Sequence, residues 1–199
     1  MVKIRDLLID IKGFTKKYEN LEASKGSVTM ITGENGCGKT ILLNSICGHV
    51  GLKEGMILLN NMESSNEAWK EFTGCFLGKD FLIPYITSRE YFELNLLIAN
   101  KINSENKVLI DKYSKILFFN DFKKKIKHLS LGNQKKVGII STLITNPDLI
   151  IWDEPFANLD KKTTISLNEL LIELSNSGKT ILYTNHPNEE TYYSQIYKI

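Results

Sequence analysis

The eight residues Gly33-Glu34-Asn35-Gly36-Cys37-Gly38-Lys39-Thr40 constrain this chain more than any other stretch. They follow the pattern G-x-x-x-x-G-K-[ST], the Walker A phosphate-binding loop. The apolar run Val28–Thr32 before them reads as a buried strand, and residues 41–47 after them as a short helix that stops at Gly48. A strand, a glycine-rich loop and a helix give the pattern a mechanism. The glycines let the backbone curl so that successive N–H groups face phosphate oxygens. The helix N-terminus adds partial positive charge at the same spot. In that setting Lys39 reaches the β- and γ-phosphates and the Thr40 hydroxyl ligates Mg²⁺.

A phosphate loop between strand and helix predicts an α/β domain, and the rest of the chain agrees. The chain has 199 residues, 42% of them hydrophobic, enough for a sizeable core in one domain with room for a small lobe. Residues 2–26 hold short apolar stretches that read as strands beside the phosphate-binding unit. Residues 56–59 and 72–77 suggest two more strands, separated by the polar segment 60–66. Between about 79 and 128 the texture becomes helical. Residues 88–99 and 107–119 carry apolar side chains at helical spacing. The basic run Lys123-Lys124-Lys125 with Lys127 reads as a solvated turn.

Ser130 is placed to cap a helix running to about Thr145, with Val137, Ile140 and Ile144 on one face. Leu149–Trp152 is a continuous apolar run, the kind buried on both faces of a parallel sheet. A helix over 161–177, a strand over 180–184 and a short strand near 195–198 complete the alternation. Asp153-Glu154 sits at the carboxyl end of the Leu149–Trp152 strand, where α/β sheets bind ligands. Four apolar residues and an acid form a Walker B pattern. Asp153 is the candidate for holding Mg²⁺ and Glu154 the candidate general base that polarises water.

Composition excludes several classes. The net charge of +2 gives no electrostatic case for nucleic acid as a partner. No apolar run approaches the ~20 residues needed to cross a bilayer, and residues 1–6 lack the long apolar stretch of a signal peptide. Cys37, Cys47 and Cys75 have no C-x-x-C spacing, so neither zinc nor a disulfide framework is suggested, and a reduced cytosolic setting fits.

Taken together, these motifs resemble the nucleotide-binding subunit of ATP-binding-cassette (ABC) transporters. Leu129-Ser130-Leu131-Gly132-Asn133-Gln134 is similar to that family's signature, Leu-Ser-Gly-Gly-Gln, upstream of Walker B. Asp153-Glu154-Pro155 matches Walker B with its glutamate and proline, Asn158-Leu159-Asp160 resembles the D-loop, and His186 falls where the switch histidine does. The order of motifs, rather than any one of them, is specific, and it covers essentially the whole chain. The resemblance implies a single P-loop NTPase domain with a mostly parallel sheet and N-terminal antiparallel strands. Its core spans 1–78 and 129–199, with a helical subdomain at about 79–128. ATP and Mg²⁺ are the implied ligands. Gly33, Asn35, Gly36, Cys37, Gly38, Lys39, Thr40, Ile41, Ser130, Gly132 and Asp160 would meet nucleotide, and Thr40 and Asp153 would meet the metal. Glu154, His186 and Lys39 would carry catalysis. Two cassettes would pair head to tail, as a homodimer or a heterodimer, so that Ser130 of one closes over the ATP of the other.

The same resemblance implies an ATPase subunit, cytoplasmic and peripheral on the inner face of the membrane, driving a separate integral-membrane permease. Compact exporter-type subunits look closest. On that resemblance the chain is expected to be near minimal for the family, without a membrane span or C-terminal regulatory domain. A soluble non-transport ABC ATPase, for example of the iron–sulfur assembly type, and an ATP-holding module with weak turnover are the alternatives. Phe81-Leu82-Ile83-Pro84-Tyr85 either lines a groove for the membrane partner or forms the insert's own core.

The chain also departs from the pattern. Leu131 replaces the first signature glycine and Asn133 the glutamine, while Ser130 and Gly132 are kept; function is expected to survive. The glutamine expected at the start of the helical insert is missing, with Gly78 or Lys79 in its place. The aromatic that stacks on adenine has no clean match, leaving Phe14 and Tyr18 as candidates. Cys37 reads as a small filler whose thiol could make the loop sensitive to alkylation or oxidation.

Overall fold

The structure is a computed structural model that describes residues 1–186 and 191–199. Its organising element is a five-stranded sheet in the order β10-β4-β9-β8-β7, formed by β4 (Val28–Thr32), β7 (Thr73–Phe76), β8 (Leu149–Trp152), β9 (Thr180–Asn185) and β10 (Gln195–Lys198). All four pairings are parallel. Every residue of β4, β8 and β9 is buried, the expected state of strands covered on both faces.

Alternation along these strands sends neighbouring side chains to opposite faces. Val28, Met30, Ile150, Trp152, Ile181 and Tyr183 face one apolar cluster. That cluster is closed by α2 (Ser88–Ile98), α3 (Ser104–Ile116), α4 (Leu131–Leu143) and α5 (Lys161–Asn176). Ile31, Leu149, Ile151 and Leu182 face a second cluster with α1 (Lys39–Ile46) and the antiparallel sheet. Each fully buried Leu or Ile contributes about 1.5–3 kcal/mol relative to exposure, so both faces are strongly specified.

The antiparallel sheet joins β1 (Val2–Ile11), β2 (Phe14–Lys17), β3 (Leu21–Ala23), β5 (Glu54–Leu59) and β6 (Met62–Glu63). The two apolar runs read after the phosphate loop thus part company: β5 joins this sheet, and β7 becomes an edge of the parallel one. The polar segment between them is not wholly loop. Asn60 and Asn61, at φ 52° and 64°, make the two-residue turn that pairs Leu59 with Met62.

The helical stretch begins at a capping box. The Thr87 side chain accepts the Glu90 N–H, and the Glu90 carboxylate accepts the Thr87 N–H at 2.7 Å. Lys123–Lys125 follow in a turn, with Lys124 paired to Asp121 at 2.8 Å. Lys127 stands over the Tyr85 ring, 5.0 Å from its centre.

Candidate functional site

Strand register brings the motifs to one edge. Thr32 pairs with Asn185, and Trp152 with both Tyr183 and Phe76. The next residues in the chain are Gly33, His186, Asp153 and Leu77. The phosphate loop, the acid pair, the histidine and the segment leading to Gly78 therefore all leave the sheet at its carboxyl end.

The phosphate loop is exposed at Glu34, Asn35 and Gly36 and closes into α1 at Gly38. Gly38 has φ 101°, and a Cβ there would stand 2.5 Å from the Tyr18 hydroxyl and 2.6 Å from Phe14 Cζ. Only glycine meets both demands. Tyr18 is 2% exposed and donates its hydroxyl to the Gly38 carbonyl at 2.9 Å. Tyr18 is core, held under the loop, and of the two aromatic candidates only Phe14 is partly open. Lys16 donates to the Cys37 carbonyl at 2.8 Å and braces the loop from the same strand. Lys39 is buried and donates to the Gly33 and Glu34 carbonyls at 2.7 and 3.0 Å, which holds its ammonium within the loop's curl. Ile41, further along α1, is half-buried against the second cluster.

The acid pair meets the loop through one bond. The Thr40 hydroxyl donates to Oδ2 of Asp153 at 2.8 Å. Thr184 donates to Oδ1 of the same carboxylate and accepts the Glu154 N–H. Glu154 sits in the left-handed region at φ 46°. His186 Nε2 lies 3.5 Å from Oε1 of Glu154, both side chains being partly exposed. Lys39, Thr40, Asp153, Glu154 and His186 thus form one cluster.

Ser130, Gly132 and Asp160 form another. They line an open depression of about 580 Å³ together with Asn133, Lys136 and Asn158. Ser130 caps α4 by accepting the Asn133 N–H at 3.2 Å. Asp160 caps α5, accepting the N–H and hydroxyl of Thr163, each at 2.9 Å. A Cβ on Gly132 would lie 2.5 Å from the Asn158 carbonyl oxygen, so the signature helix and the segment after Walker B meet backbone to backbone. Among the described residues, no hydrogen bond or ion pair joins Ser130 or Gly132 to the phosphate loop.

Besides Lys16, two contributors escaped the sequence reading. Thr184, next to last in β9, follows the apolar run 181–183 with a polar residue, a signal that was available. Lys135 gave no such signal: its ammonium donates to the Asp153 carbonyl at 3.2 Å and stands over Phe76, 5.4 Å from the ring centre. Burial lowers its pKa, opposed by the nearby Asp153 and Glu154.

The donor set at the join of loop and acid pair is a hydroxyl and a carboxylate, hard oxygen ligands that suit Mg²⁺. Among the described residues no group of three His, Cys, Asp or Glu side chains could hold a metal. A cation at Thr40 and Asp153 therefore takes its remaining ligands from water or from phosphate, the usual arrangement for Mg²⁺.

Comparison with known proteins agrees with this geometry. The family profile described as ABC transporter matches residues 17–157. The Fe(3+) ions import ATP-binding protein FbpC of Fusobacterium nucleatum is 30% identical over 193 residues, covering 92% of this chain and 52% of its own length. The ABC transporter ATP-binding protein YtrE of Bacillus subtilis is 31% identical over 182 residues, covering 87% of this chain and 79% of its own. This chain spans about half the length of the iron import protein and no more than 64% of several other relatives. A solved dimeric ATP-binding cassette in a post-hydrolysis state with ADP and Pi superposes with a TM-score of 0.88 at 24% identity, covering 100% of this chain and 94% of that one. That likeness establishes the cassette fold. With the profile covering most of the sequence, the chain belongs to the ABC transporter family.

Proposed function

We propose that this chain binds and hydrolyses ATP as the nucleotide-binding subunit of an ABC transporter, working on a separate integral-membrane subunit. The observation that carries the reading is the join of Thr40 to Asp153 at 2.8 Å, with Glu154 next in the chain and His186 3.5 Å from its carboxylate. Lys39 and the N–H groups of residues 33–41 would hold the β- and γ-phosphates. Thr40 and Asp153 would hold Mg²⁺, which neutralises charge on the phosphate oxygens when bound. Glu154 takes the proton of the attacking water, and His186 orients water and γ-phosphate.

The second cluster supports a paired cassette. Ser130, Gly132 and Asp160 face an open depression, and they would close over the nucleotide of a partner chain. We read residues 79–128 as the helical subdomain that takes the permease. Phe81, Ile83 and Tyr85 are 48%, 40% and 69% exposed, which supports a surface for that partner, while Leu82 between them is buried in the first cluster. Among the described residues no helix is long and apolar enough to cross a membrane, so membrane attachment would run through the permease. One relative named above is an import protein, so the exporter-type expectation is not carried into the proposal.

The test is phosphate release from ATP by the purified chain, with Mg²⁺ and again with the metal chelated. Turnover that needs Mg²⁺ and disappears in Thr40→Ala supports the proposal. Nucleotide binding without turnover, alone and with a co-expressed permease, would reduce it to an ATP-holding module.

A further inference from the structure

Cys47 caps the C-terminal end of α1, and Cys75 lies in the middle of β7. Their sulfurs are 3.1 Å apart, with both thiols free. Cys47 is buried, whereas Cys75 is partly exposed. β7 is an edge strand of the parallel sheet. Along that edge runs a cavity of about 350 Å³, lined by Cys75, Gly74, Tyr91, Asn95 and Ser141 among others. Cys75, the partly exposed member of the pair, is thus open to a small molecule at the sheet edge, and the buried Cys47 sulfur lies in contact with its sulfur.

We propose that Cys47 and Cys75 are an oxidation-reactive thiol pair, closed to a disulfide by a peroxide-class oxidant that reaches the partly exposed Cys75. The Cys75 sulfur attacks the peroxide, breaking its O–O bond. Cys75 becomes a sulfenic acid, and the peroxide leaves as an alcohol, or as water from hydrogen peroxide. The Cys47 sulfur then attacks the Cys75 sulfur. The S–S bond forms, and the sulfenic hydroxyl departs as water with the Cys47 proton. Two thiols are oxidised by two electrons, and one peroxide is reduced by two. The order follows from the environment. Cys75 is the partly exposed sulfur and meets the oxidant first, while Cys47 is buried behind it, its thiol pushed well above the ordinary range by the hydrogen bond to Cys75 and by burial.

The bond would clip two elements that both serve the nucleotide site. α1 begins at Lys39 and Thr40, and β7 leads past Phe76, whose carbonyl accepts the Asp153 N–H at 3.0 Å, toward Gly78. The linked residues are 28 positions apart, a separation at which a disulfide raises Tm by about 5–15 °C in a chain of this size.

Trypsin separates the three cysteines cleanly, since Lys39, Lys53, Lys70 and Lys79 put Cys37, Cys47 and Cys75 on different peptides. The folded chain is treated with hydrogen peroxide, its remaining thiols are alkylated, and it is digested without reductant. The expected product is one cross-linked pair joining residues 40–53 to 71–79, lighter by two hydrogens than its separate peptides and released by dithiothreitol. The oxidised chain should melt about 5–15 °C higher than the reduced one. In Cys75→Ser, Cys47 should stay reduced. In Cys47→Ala, Cys75 should stop at the sulfenic acid and be trapped by dimedone. A parent map in which Cys75 proceeds to sulfinic acid while Cys47 still alkylates overturns the proposal, as does a cross-link through Cys37. The parent map needs no substitution, so it decides the matter even if a variant fails to fold.

Discussion

The Thr184 hydroxyl donates to Oδ1 of Asp153 at 2.5 Å and, from the next strand, also accepts the Glu154 N–H at 2.8 Å. One hydroxyl thus fixes both the carboxylate assigned to Mg²⁺ and the left-handed backbone of the assigned base, a conformation rarely adopted by side-chain-bearing residues. Thr184→Val keeps the shape and removes both bonds, leaving a partly buried N–H without its partner. Stability should fall by about 1–3 kcal/mol in denaturant unfolding. Hydrolysis should fall by roughly 10–100-fold through misplacement of Glu154, with ATP affinity little changed. Thr184→Ser should restore both. A valine variant with parental turnover would show that Thr184 positions nothing.

Lys39→Ala should abolish ATP binding. The ammonium is held inside the loop by the Gly33 and Glu34 carbonyls at 2.7 and 3.0 Å, so the charge is already in position when phosphate arrives. Removing it leaves two carbonyl oxygens facing an anion. Calorimetric titration with ATP should give no heat of binding at concentrations that saturate the parent; unchanged affinity would mean that the nucleotide lies elsewhere.

Gly132→Ala separates two opposing effects by magnitude. In an exposed helix, alanine gains about 1 kcal/mol over glycine. Here the added Cβ meets the Asn158 carbonyl oxygen at 2.5 Å, and overpacking of this kind costs about 1–3 kcal/mol. The contact should win, giving a net loss in denaturant unfolding and a displaced Asn158–Asp160 segment. A variant as stable as the parent would mean that the segment yields without cost.

These predictions mark where the sequence was legible. Gly33–Thr40 and Asp153-Glu154 could be read because each is local: a few adjacent residues whose chemistry needs that spacing. Ser130 was legible for the same reason, as a helix cap, and Asp160 through the D-loop resemblance; its capping of α5 is a finding of the structure. Lys135 and Lys16 could not be placed, and Thr184 was only hinted at by its polarity, because each acts across strands or from a helix onto a strand end. Tyr18 had the chemistry of a stacking residue, but burial beneath Gly38 makes it a support. Cys47 and Cys75 have no motif spacing, and only the packing of α1 against β7 brings their sulfurs together.

Asp160 gives a pH dependence with a definite sign. The Thr163 N–H and hydroxyl, with a smaller contribution from Lys136, bring its carboxyl down from an ordinary 3.8 to about 2. A depressed carboxylate stabilises the fold above its unfolded pKa, and that contribution is lost as pH falls through the folded value. The window is therefore pH 4 down to about 2. The effect is modest, because the side chain is well exposed and its charge is screened by solvent. Asp160→Asn keeps a good cap without the titration. Thermal midpoints at pH 4 and pH 2 should fall further in the parent than in Asp160→Asn. Equal losses would mean that other carboxylates carry the acid response.

Glu154→Gln should separate binding from hydrolysis. The amide keeps the shape of the carboxylate and loses its basicity, and losing a general base costs about 10²–10⁴-fold in rate. Lys39, Thr40 and Asp153 are untouched, so ATP should still bind and stay intact. If the open face of Ser130, Gly132 and Asp160 closes on the partner's ATP, bound nucleotide links the two chains and stabilises the dimer by mass action. On a sizing column the variant should run as a dimer with ATP and as a monomer without it. Ser130→Arg, which adds bulk against the opposite nucleotide, should abolish the dimer while leaving binding to one chain largely intact. Parental turnover in Glu154→Gln would remove Glu154 as the base. An inactive variant that stays monomeric with ATP would point to a heterodimer or to a sandwich completed only by the permease. Repeating the column run after co-expression with the permease then separates those two, since only the permease-dependent sandwich gains a dimer of this chain.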